Sequence, residues 1–255
     1  MKPEKRIRWI LDKFSKGFYL EKYILKDGKT HPVAIICPGG GYHWVCSFIE
    51  GRPYAKKLNA MGYSAIVVHY RCGNKYPYPT PQDDLARAIK YIMNKKERWG
   101  LDMVGYSLWG SSAGGHLVAG FGTDVMGYKK YQLPKPGSLI LSYPVITMGE
   151  GAHEGSRNYL LGAKPSEHQI EFSSVEKQIT FDYPPTFLWC GLEDHTVDPK
   201  NSRLLANALE DRGVRHQFLP VEGVDHGVGI GEGLLCEGWF ETAVRFWEEC
   251  RQKQG

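Results

Sequence analysis

Short, wholly apolar runs alternate along this chain with longer stretches in which apolar residues recur every three or four positions. The apolar runs predict six strands, at 32–37, 64–70, 106–110, 138–145, 185–191 and 216–221. The recurring pattern predicts helices over 53–61, 82–97, 199–211 and 239–250, and one more that opens after residue 114. Strands that are apolar on both faces are typical of a parallel sheet covered by helices. The alternation therefore predicts an α/β fold with a mostly parallel central sheet flanked by helices.

One segment departs from this alternation. Residues 147–184 are polar and irregular, and they separate the fourth predicted strand from the fifth. We call this segment the insert, and we expect a small irregular element and a candidate lid there, ahead of the loop that follows the fifth strand. No repeat, low-complexity tract or linker divides the rest, so residues 1–255 are expected to form a single domain.

Composition and charge narrow the classes of partner. Of the 255 residues, 42% are apolar and 24% are charged, with a net charge of +4, which is ordinary for a globular protein. The densest basic stretches, at 2–8 and 94–98, predict a solvated tail and a solvated helix end, so no nucleic-acid partner is expected. No apolar run approaches the length of a membrane span, and the N-terminus lacks a signal-peptide pattern, which predicts a cytoplasmic protein without a membrane partner. None of the six cysteines forms a C-x-x-C pair, and neither a metal nor a cofactor is expected.

The strongest chemical signal is a G-x-S-x-G pentapeptide at 110–114. It directly follows an apolar strand and directly precedes a helix, which is the context of a nucleophile elbow. Glycines on both sides of the central serine let strand and helix approach closely. The pattern makes Ser112 the candidate nucleophile. Ser111 lies off the centre of the pattern and is the weaker candidate, and a tight turn without chemistry is the alternative.

A second glycine cluster, at 39–41, follows the first predicted strand. An oxyanion needs N–H donors already aimed at it, and in hydrolases with an elbow they come from this early loop and from the residue after the serine. This makes Gly40, Gly41 and Ala113 the candidate oxyanion donors. A phosphate-binding turn is disfavoured because neither G-K-[ST] nor G-x-G-x-x-G is present, whereas a plain structural turn stays open.

A base and an acid are expected later in the chain, in the order serine, carboxylate, histidine. His226 lies in a glycine-lined loop after the sixth predicted strand. Loops at the carboxyl ends of parallel strands are where open α/β sheets bind ligands, which makes His226 the candidate base. Of the other histidines, two are expected to be structural (His69, His116) and three to be solvated (His153, His168, His195).

The candidate acid is Asp194, just past the fifth predicted strand. Glu193 and Asp198 compete with it. Asp194 is favoured because the D-x-x-V pattern places its carboxylate at the loop tip and returns Val197 to the core. Asp225 adjoins the candidate base, but a direct neighbour in sequence rarely points at it.

Aromatic residues cluster near these loops. Tyr42 and Trp44 follow the oxyanion glycines, and Tyr143 follows the fourth predicted strand. These three are candidate substrate-binding residues, which could form a platform for a sugar or close an acyl pocket. For each of them, and for Tyr70 and Trp109, packing at the edge of the sheet is an equal alternative.

Six motifs together resemble the acetyl-xylan esterase branch of bacterial α/β-hydrolases. They are CPGGGY at 37–42, EG at 50–51, GSSAGGHL at 110–117, YPVITMGEGAHEGS at 143–156, GLEDHTVDPKNS at 191–202 and DHG at 225–227. The resemblance runs from about residue 33 to 247. It implies the α/β-hydrolase fold and a serine esterase acting on small acylated carbohydrates, such as acetylated xylo-oligosaccharides. It implies the same site: the triad Ser112, Asp194 and His226, with Gly40, Gly41 and Ala113 as oxyanion donors.

Two departures limit what the resemblance implies. The related hormone-sensitive-lipase group has a histidine before the glycines, where this chain has Pro38, so a role of that histidine is not carried over. Relatives are often labelled xylanase-like, but glycosidic cleavage needs two opposed carboxylates, and this constellation suits acyl transfer. Two other classes stay open: an amidase or peptidase of the same fold, and a hydrolase fold used only for binding. The oligomeric state is left open.

Overall fold

A single sheet forms the centre of the structure. The computed structural model describes residues 8–9 and 17–253, and within them the sheet has eight strands. The strands are β1 (Arg8–Trp9), β2 (Tyr19–Tyr23), β3 (His31–Cys37), β4 (Ser64–His69), β5 (Leu101–Ser111), β6 (Ser138–Ser142), β7 (Thr186–Gly191) and β8 (His216–Val221). Their order is β1-β2-β4-β3-β5-β6-β7-β8. Strands β3 to β8 are parallel, and β1 and β2 join antiparallel at one edge. The predicted fold class is confirmed.

All six predicted strands are present, whereas β1 and β2 were not predicted. In β2, Glu21 and Lys22 interrupt the apolar pattern. Glu21 is nevertheless buried, because Arg52 pairs with both of its carboxylate oxygens at 2.8 and 2.9 Å. That partner comes from 31 residues further along the chain, so local sequence does not reveal it. The basic stretch at 2–8 lies, apart from residue 8, outside the described residues.

The described part of the chain has eight α-helices: α1 (Ser47–Glu50), α2 (Arg52–Ala60), α3 (Thr80–Trp99), α4 (Ser112–Phe121), α5 (Glu154–Leu161), α6 (Glu167–Ser173), α7 (Lys200–Asp211) and α8 (Trp239–Gln252). Five of them, α2, α3, α4, α7 and α8, lie where the apolar spacing predicted helices, whereas α1, α5 and α6 were not predicted. The basic stretch at 94–98 is the largely exposed end of α3, as predicted. None of the helices described is long and apolar enough to cross a bilayer.

The insert is more regular than its sequence indicated. It contains α5, α6 and a 3₁₀ turn at Val175–Gln178. A capping box explains α6: Ser166 accepts a hydrogen bond from the N–H of Gln169, whose side chain accepts one from the N–H of Ser166. Such short helices carry too few apolar turns to produce a clear periodic signal in the sequence.

Two hydrophobic clusters cover the two faces of the sheet. Along β3, Ile35 packs into one cluster and Ile36 into the other, because successive strand side chains point to opposite faces. The Ile35 face is covered by α3, α4 and α7, and the Ile36 face by α2 and α8. The result is the three-layer arrangement that a parallel sheet needs, with apolar cover on both sides.

Four loops leave the sheet at its carboxyl edge. The glycine cluster follows β3, the elbow follows β5, and the loops with the candidate acid and the candidate base follow β7 and β8. Because β3, β5, β6, β7 and β8 are consecutive neighbours and parallel, these four loops emerge side by side. The sheet topology thus brings together residues that are far apart in sequence.

Candidate active site

The elbow is a sharp junction between β5 and α4. Strand β5 ends at Ser111 and α4 begins at Ser112, whose φ is +52°. A Cβ on Gly114 would stand 2.1 Å from the carbonyl oxygen of Cys37, so only glycine fits where the helix passes β3. Ser111 faces away, and its hydroxyl donates to the Tyr54 hydroxyl at 3.3 Å. Placement therefore favours Ser112 as the serine that faces the other candidate groups.

The structure brings the predicted serine, base and acid together. His226 Nε2 lies 2.9 Å from Ser112 Oγ, and His226 Nδ1 lies 2.6 Å from Asp194 Oδ2. A carboxylate can only accept, so Nδ1 carries the proton and Nε2 is left free to accept the serine proton. The N–H groups of Thr196 and Val197 donate to Asp194 Oδ1 at 2.9 and 2.8 Å, which fixes the carboxylate.

The competing carboxylates are held elsewhere. Glu193 accepts the backbone N–H groups of Gly223 and Val224, and so ties the acid loop to the loop after β8. Asp198 accepts the N–H of Lys200 at 2.8 Å, at the start of α7. Asp225 accepts the backbone N–H groups of His195 and of its neighbour 226, at 3.0 and 2.7 Å. Each has a local structural role, and Asp194 alone among them contacts the imidazole of the candidate base.

The loop after β3, residues 38–46, is the predicted oxyanion loop. Gly40 has φ +123° and Gly41 has φ +65°, conformations that favour glycine. The Gly40 carbonyl accepts the N–H groups of His43 and Trp44 at 3.0 and 3.2 Å, which closes a tight turn. Within residues 17–253, no protein acceptor takes the N–H of Gly40 or of Gly41. Both N–H groups are therefore available to an oxyanion.

The third predicted donor is Ala113, the second residue of α4. The first N–H groups of a helix have no partner within the helix, and the helix dipole adds positive potential there. Gly39 connects this donor to the oxyanion loop: a Cβ on Gly39 would stand 2.8 Å from Ser112 Cβ. The two sources of donors thus flank the same serine.

A buried carboxylate to which the sequence patterns assigned no role lies next to the oxyanion loop. Glu50, the last residue of α1, is 4% exposed. Its Oε2 accepts the N–H of Gly39 at 2.7 Å, and its Oε1 accepts the hydroxyl of Tyr143 at 3.0 Å. Burial raises the pKa of Glu50, while the two hydrogen bonds and the nearby His226 lower it in part. The available signal was a lone Glu after the apolar pair at 48–49, directly ahead of a glycine.

The structure corrects two of the three candidate substrate-binding residues. Tyr42 lies in the core, and its hydroxyl pairs with His116 Nδ1 at 2.9 Å, because its φ of +57° turns the side chain inward. Tyr143 is also buried, and its ring packs edge-on against His226 with 4.7 Å between centroids. Neither exposes a face to a substrate. Trp44 is 56% exposed beside Gly40 and stays a candidate.

The other histidines mostly match the predictions. His69 and His116 are buried, and His168 and His195 are exposed. Burial lowers the pKa of His116 to about 4, with a hydrogen bond to Ser173 opposing the shift.

His153 was expected to be solvated and is half-buried instead. Its Nδ1 accepts the N–H of Ser156 and caps α5. Its ring stands 3.7 Å from the position of a Cβ on Gly41. Burial lowers the pKa of His153, and the charge of the nearby His226 adds to the shift. This contact places the start of the insert against the oxyanion loop, a position suited to the predicted lid.

Two surface depressions border loops of the site, one at His43 of the oxyanion loop and the other at Asp194 of the acid loop. One, of about 350 Å³, is lined by residues 72–76 with His43 and Tyr159. The other, of about 410 Å³, is lined by 151–153, 194–196, Asp198 and Pro199. Within the described residues, no three His, Cys, Asp or Glu side chains are grouped so as to hold a metal ion.

Comparisons with known proteins place the chain in a family. The BD-FAE family model matches residues 20–132. The crystal structure of an acetyl ester-xyloside bifunctional hydrolase from Caldicellulosiruptor lactoaceticus superposes with a TM-score of 0.83 at 33% identity, covering 91% of this chain and 88% of that one. The chain belongs to the acetylxylan esterase-like family of α/β-hydrolases. The family predicted from the motifs is thus confirmed.

Curated members of this family extend beyond the present chain. An endo-1,4-beta-xylanase B from Butyrivibrio fibrisolvens is 30% identical over 88% of this chain, but the match covers 37% of that protein. An acetylxylan esterase from Xylanibacter ruminicola is 27% identical over 80% of this chain and 41% of its own length. The chain thus spans less than half the length of these two relatives.

Proposed function

We propose that this chain is a serine esterase that hydrolyses short acyl esters, acetyl esters above all, on carbohydrate hydroxyl groups. The observation that carries the proposal is the hydrogen-bonded series Ser112–His226–Asp194 beside the free N–H groups of Gly40 and Gly41. A nucleophile, a base with its orienting acid, and preformed donors for an oxyanion are the parts that acyl transfer requires. No cofactor enters this chemistry.

In the first half-reaction, the Ser112 hydroxyl passes its proton to His226 Nε2 as Oγ attacks the ester carbonyl carbon. The carbonyl oxygen becomes an oxyanion held by the N–H groups of Gly40, Gly41 and Ala113. Asp194 stabilises the imidazolium through its Nδ1–H. The imidazolium then protonates the alcohol oxygen, the C–O bond breaks, and the sugar leaves an acyl-serine behind.

In the second half-reaction, water takes the place of the sugar. The neutral imidazole removes a proton from the water as its oxygen attacks the acyl carbon, and the same donors hold the new oxyanion. Return of that proton to the serine oxygen releases the carboxylic acid.

The acyl preference rests on Trp44. Its Cδ1 lies 3.3 Å from the position of a Cβ on Gly40, so the indole stands directly beside an oxyanion donor. A rigid wall there discriminates against longer acyl chains by about 1–3 kcal/mol for each methylene that does not fit. The exposed part of the indole also offers an apolar surface on which the C–H face of a sugar can pack.

The carbohydrate preference rests on the relatives. Two similar proteins are named for acetyl-ester chemistry, the Xylanibacter acetylxylan esterase and the Caldicellulosiruptor acetyl ester-xyloside hydrolase. Ester cleavage is favoured over glycosidic cleavage because Asp194 is hydrogen-bonded to the base and Glu50 is buried, so neither of these two carboxylates is free to flank a glycosidic bond.

The nucleophile is tested with a fluorophosphonate probe, which labels activated serines covalently. We expect wild type to be labelled and Ser112→Ala to be unlabelled, with turnover lower by up to about a millionfold. Ser111→Ala is the matched control and should keep its labelling. Labelling of Ser112→Ala, or near-wild-type turnover in that variant purified free of host esterases, would exclude this mechanism.

The substrate class is tested with nitrophenyl esters of increasing chain length beside acetylated xylo-oligosaccharides. Acetate should exceed butyrate by at least about tenfold in kcat/KM, and Trp44→Ala should narrow that ratio. Acetate release from the oligosaccharides is expected. Equal or faster cleavage of octanoate with no acetate released from the sugars would instead indicate a lipase-like carboxylesterase.

A further inference from the structure

The catalytic series described above leaves one buried charge unused. The Glu50 carboxylate is removed from solvent, and within residues 17–253 neither Lys nor Arg forms an ion pair with it. Burying a carboxylate without a cationic partner is strongly unfavourable, because the charge loses its hydration. A group that costs this much stability and lies beside the triad calls for a functional explanation.

The hydrogen bonds of Glu50 connect the two halves of the site. On one side, the Gly39 N–H donates to Oε2 at 2.7 Å, and Gly39 precedes the oxyanion donors. On the other side, the Tyr143 hydroxyl donates to Oε1 at 3.0 Å and accepts the N–H of Gly229 at 3.2 Å. Gly229 belongs to the loop that carries the base. A single carboxylate thus ties the oxyanion loop to the histidine loop.

The ring of Tyr143 extends this connection to the imidazole. It meets His226 edge-on, with planes at 64° and centroids 4.7 Å apart. Every proton in the series runs towards the carboxylate: Gly229 N–H to the Tyr143 oxygen, Tyr143 O–H to Glu50. Aligned bonds of this kind polarise one another, and both carboxylate oxygens are left as acceptors. Glu50 therefore presents a negative charge behind the base.

We propose that Glu50 is a positioning residue of the active site. Its carboxylate sets the oxyanion loop through Gly39 and holds Tyr143 against the imidazole. Its charge has no permanent cationic partner, because the cation it stabilises forms on His226 only during the reaction. This inference rests on the proposed esterase function.

The charge environment of the pair is defined by few groups. The titratable side chains that interact with Glu50 are Cys46, Tyr54, Tyr70, Tyr143 and His226. Those that interact with the imidazole, besides Tyr143 and Glu50, are Asp194, His153 and Asp225. Replacing Glu50 by its neutral isostere removes one negative charge and leaves the rest in place.

The test compares Glu50→Gln with Glu21→Gln, a second buried carboxylate. For Glu50→Gln we expect kcat to fall about 10- to 100-fold on nitrophenyl acetate with KM within about twofold, as for residues that orient reacting groups. The acid limb of its rate–pH profile should move to lower pH, because the variant lacks the negative charge that stabilises the protonated form of the base.

The melting temperature of Glu50→Gln should stay equal to that of wild type or rise. Burial holds the Glu50 pKa above its ordinary value, so the stability linked to that carboxyl is lost as pH rises through it, and a neutral amide avoids that loss.

The control should behave in the opposite way. Burial raises the pKa of Glu21, but the hydrogen bonds and charge of Arg52 and the neighbouring His69 outweigh it and hold the pKa well below its ordinary value. Its ionised form therefore contributes stability at neutral pH, and that contribution is lost only as pH falls through the folded-state pKa. Glu21→Gln should lower the melting temperature and leave kcat and the acid limb unchanged.

The outcomes separate this inference from the proposed function. If wild type hydrolyses acetate esters, and Glu50→Gln keeps kcat within twofold and an unchanged acid limb, the inference is wrong and the proposed esterase function is unaffected. If wild type cleaves no ester, the titration midpoint of the His226 imidazole, followed by NMR in histidine-labelled protein, still decides: it should fall in Glu50→Gln, and an unchanged midpoint overturns the inference. If Glu50→Gln does not fold, Tyr143→Phe takes its place. That variant should lose kcat at constant KM, and full activity in it would overturn the inference.

Discussion

At the scale of single residues, partner chemistry decides what each buried imidazole can do. His226 has a carboxylate at Nδ1, so its proton sits there and Nε2 accepts. His116 has the Ser173 carbonyl at Nε2 and the Tyr42 hydroxyl at Nδ1, which requires the opposite tautomer. The first arrangement has an anion ready to stabilise a cation, and the second has none. One histidine is therefore suited to act as a base, and the other is a neutral brace between the oxyanion loop and the insert.

The identity of the acid can be tested by exchanging each carboxylate for its amide. Asp194→Asn should lower kcat by about 10⁴-fold, because the amide imposes the wrong tautomer on His226. Glu193→Gln and Asp198→Asn are the matched controls, and each should stay within about tenfold of wild type because neither contacts the imidazole. The measurement is kcat on nitrophenyl acetate, with circular dichroism to check folding. A larger loss in either control would move the acid to that residue.

The brace histidine should make the fold sensitive to acid. The pKa of His116 is lowered from 6.5 to about 4 by burial, so between these values the unfolded chain binds a proton that the folded protein does not. Stability linked to His116 is therefore complete above pH 6.5 and falls as pH drops towards 4, by on the order of 3 kcal/mol. Urea midpoints from pH 7 to pH 4 should show a flatter decline in His116→Gln than in wild type. The exposed His195→Gln should follow wild type, and equal slopes in all three proteins would refute the assignment.

At the scale of elements, function depends on loops that the sheet holds at one edge. The oxyanion loop is a turn in which Gly40, Gly41 and Tyr42 all have positive φ. Such backbone strain costs of order 1–3 kcal/mol at each position where a side chain is present, and it persists where surrounding contacts enforce it. Here the contacts are Glu50 on one side and the elbow on the other. The loop is thus preformed before any substrate arrives.

Adding a side chain to a glycine of the oxyanion loop should lower kcat more than it lowers stability. In Gly40→Ala, the new methyl would stand 2.4 Å from the Trp44 carbonyl oxygen, so the turn must shift and carry its N–H groups with it. We expect kcat to fall about 100-fold or more, the effect of losing one oxyanion donor. Gly62→Ala is the matched control, because Gly62 also has positive φ (+93°) but nothing within 4 Å of its Cβ position, and it lies in the α2–β4 turn. That control should lose stability and keep kcat, and equal kcat losses in the two variants would contradict the oxyanion role.

At the scale of the whole molecule, the two faces of the sheet differ in what they support. The face covered by α2 and α8 is rich in large aromatic side chains, with Trp109, Trp239 and Phe240 in mutual contact. Trp247 lies beside them, and its indole N–H donates to the Gly105 carbonyl at 2.8 Å near the amino end of β5. Elbow, acid and base lie at the opposite ends of their strands. Packing on this face should therefore control stability, and the carboxyl edge should control chemistry.

Truncation of a core indole tests that division. Trp247→Ala should lower the free energy of unfolding by about 3–5 kcal/mol, because it removes a fully buried side chain and leaves a cavity. Below its melting temperature, the variant should keep kcat within about threefold, since Trp247 touches none of the site residues. Phe181→Ala is the control: that side chain is 86% exposed, and its loss should change stability by no more than about 0.5 kcal/mol. A large kcat loss in folded Trp247→Ala would show that the two ends of the sheet are coupled.

Sequence by itself determined the α/β architecture and the candidate triad. Strands buried on both faces are uniformly apolar, and residues such as Ser112, Asp194 and His226 stand directly after them, where a parallel sheet gathers its loops at one edge. Local pattern is sufficient there because the relevant forces, burial and turn geometry, act within a few residues.

Tertiary structure alone decided the direction and partner of the buried polar groups. In the sequence, Glu21 and Glu50 resemble surface carboxylates, but both are buried. Glu21 is hydrogen-bonded by Arg52, and Glu50 is hydrogen-bonded by Gly39 and Tyr143. Tyr42 follows the oxyanion glycines but turns into the core. The physical reason is common to all three: the free energy of a buried polar side chain depends on a hydrogen-bond partner, and that partner comes from a distant part of the chain.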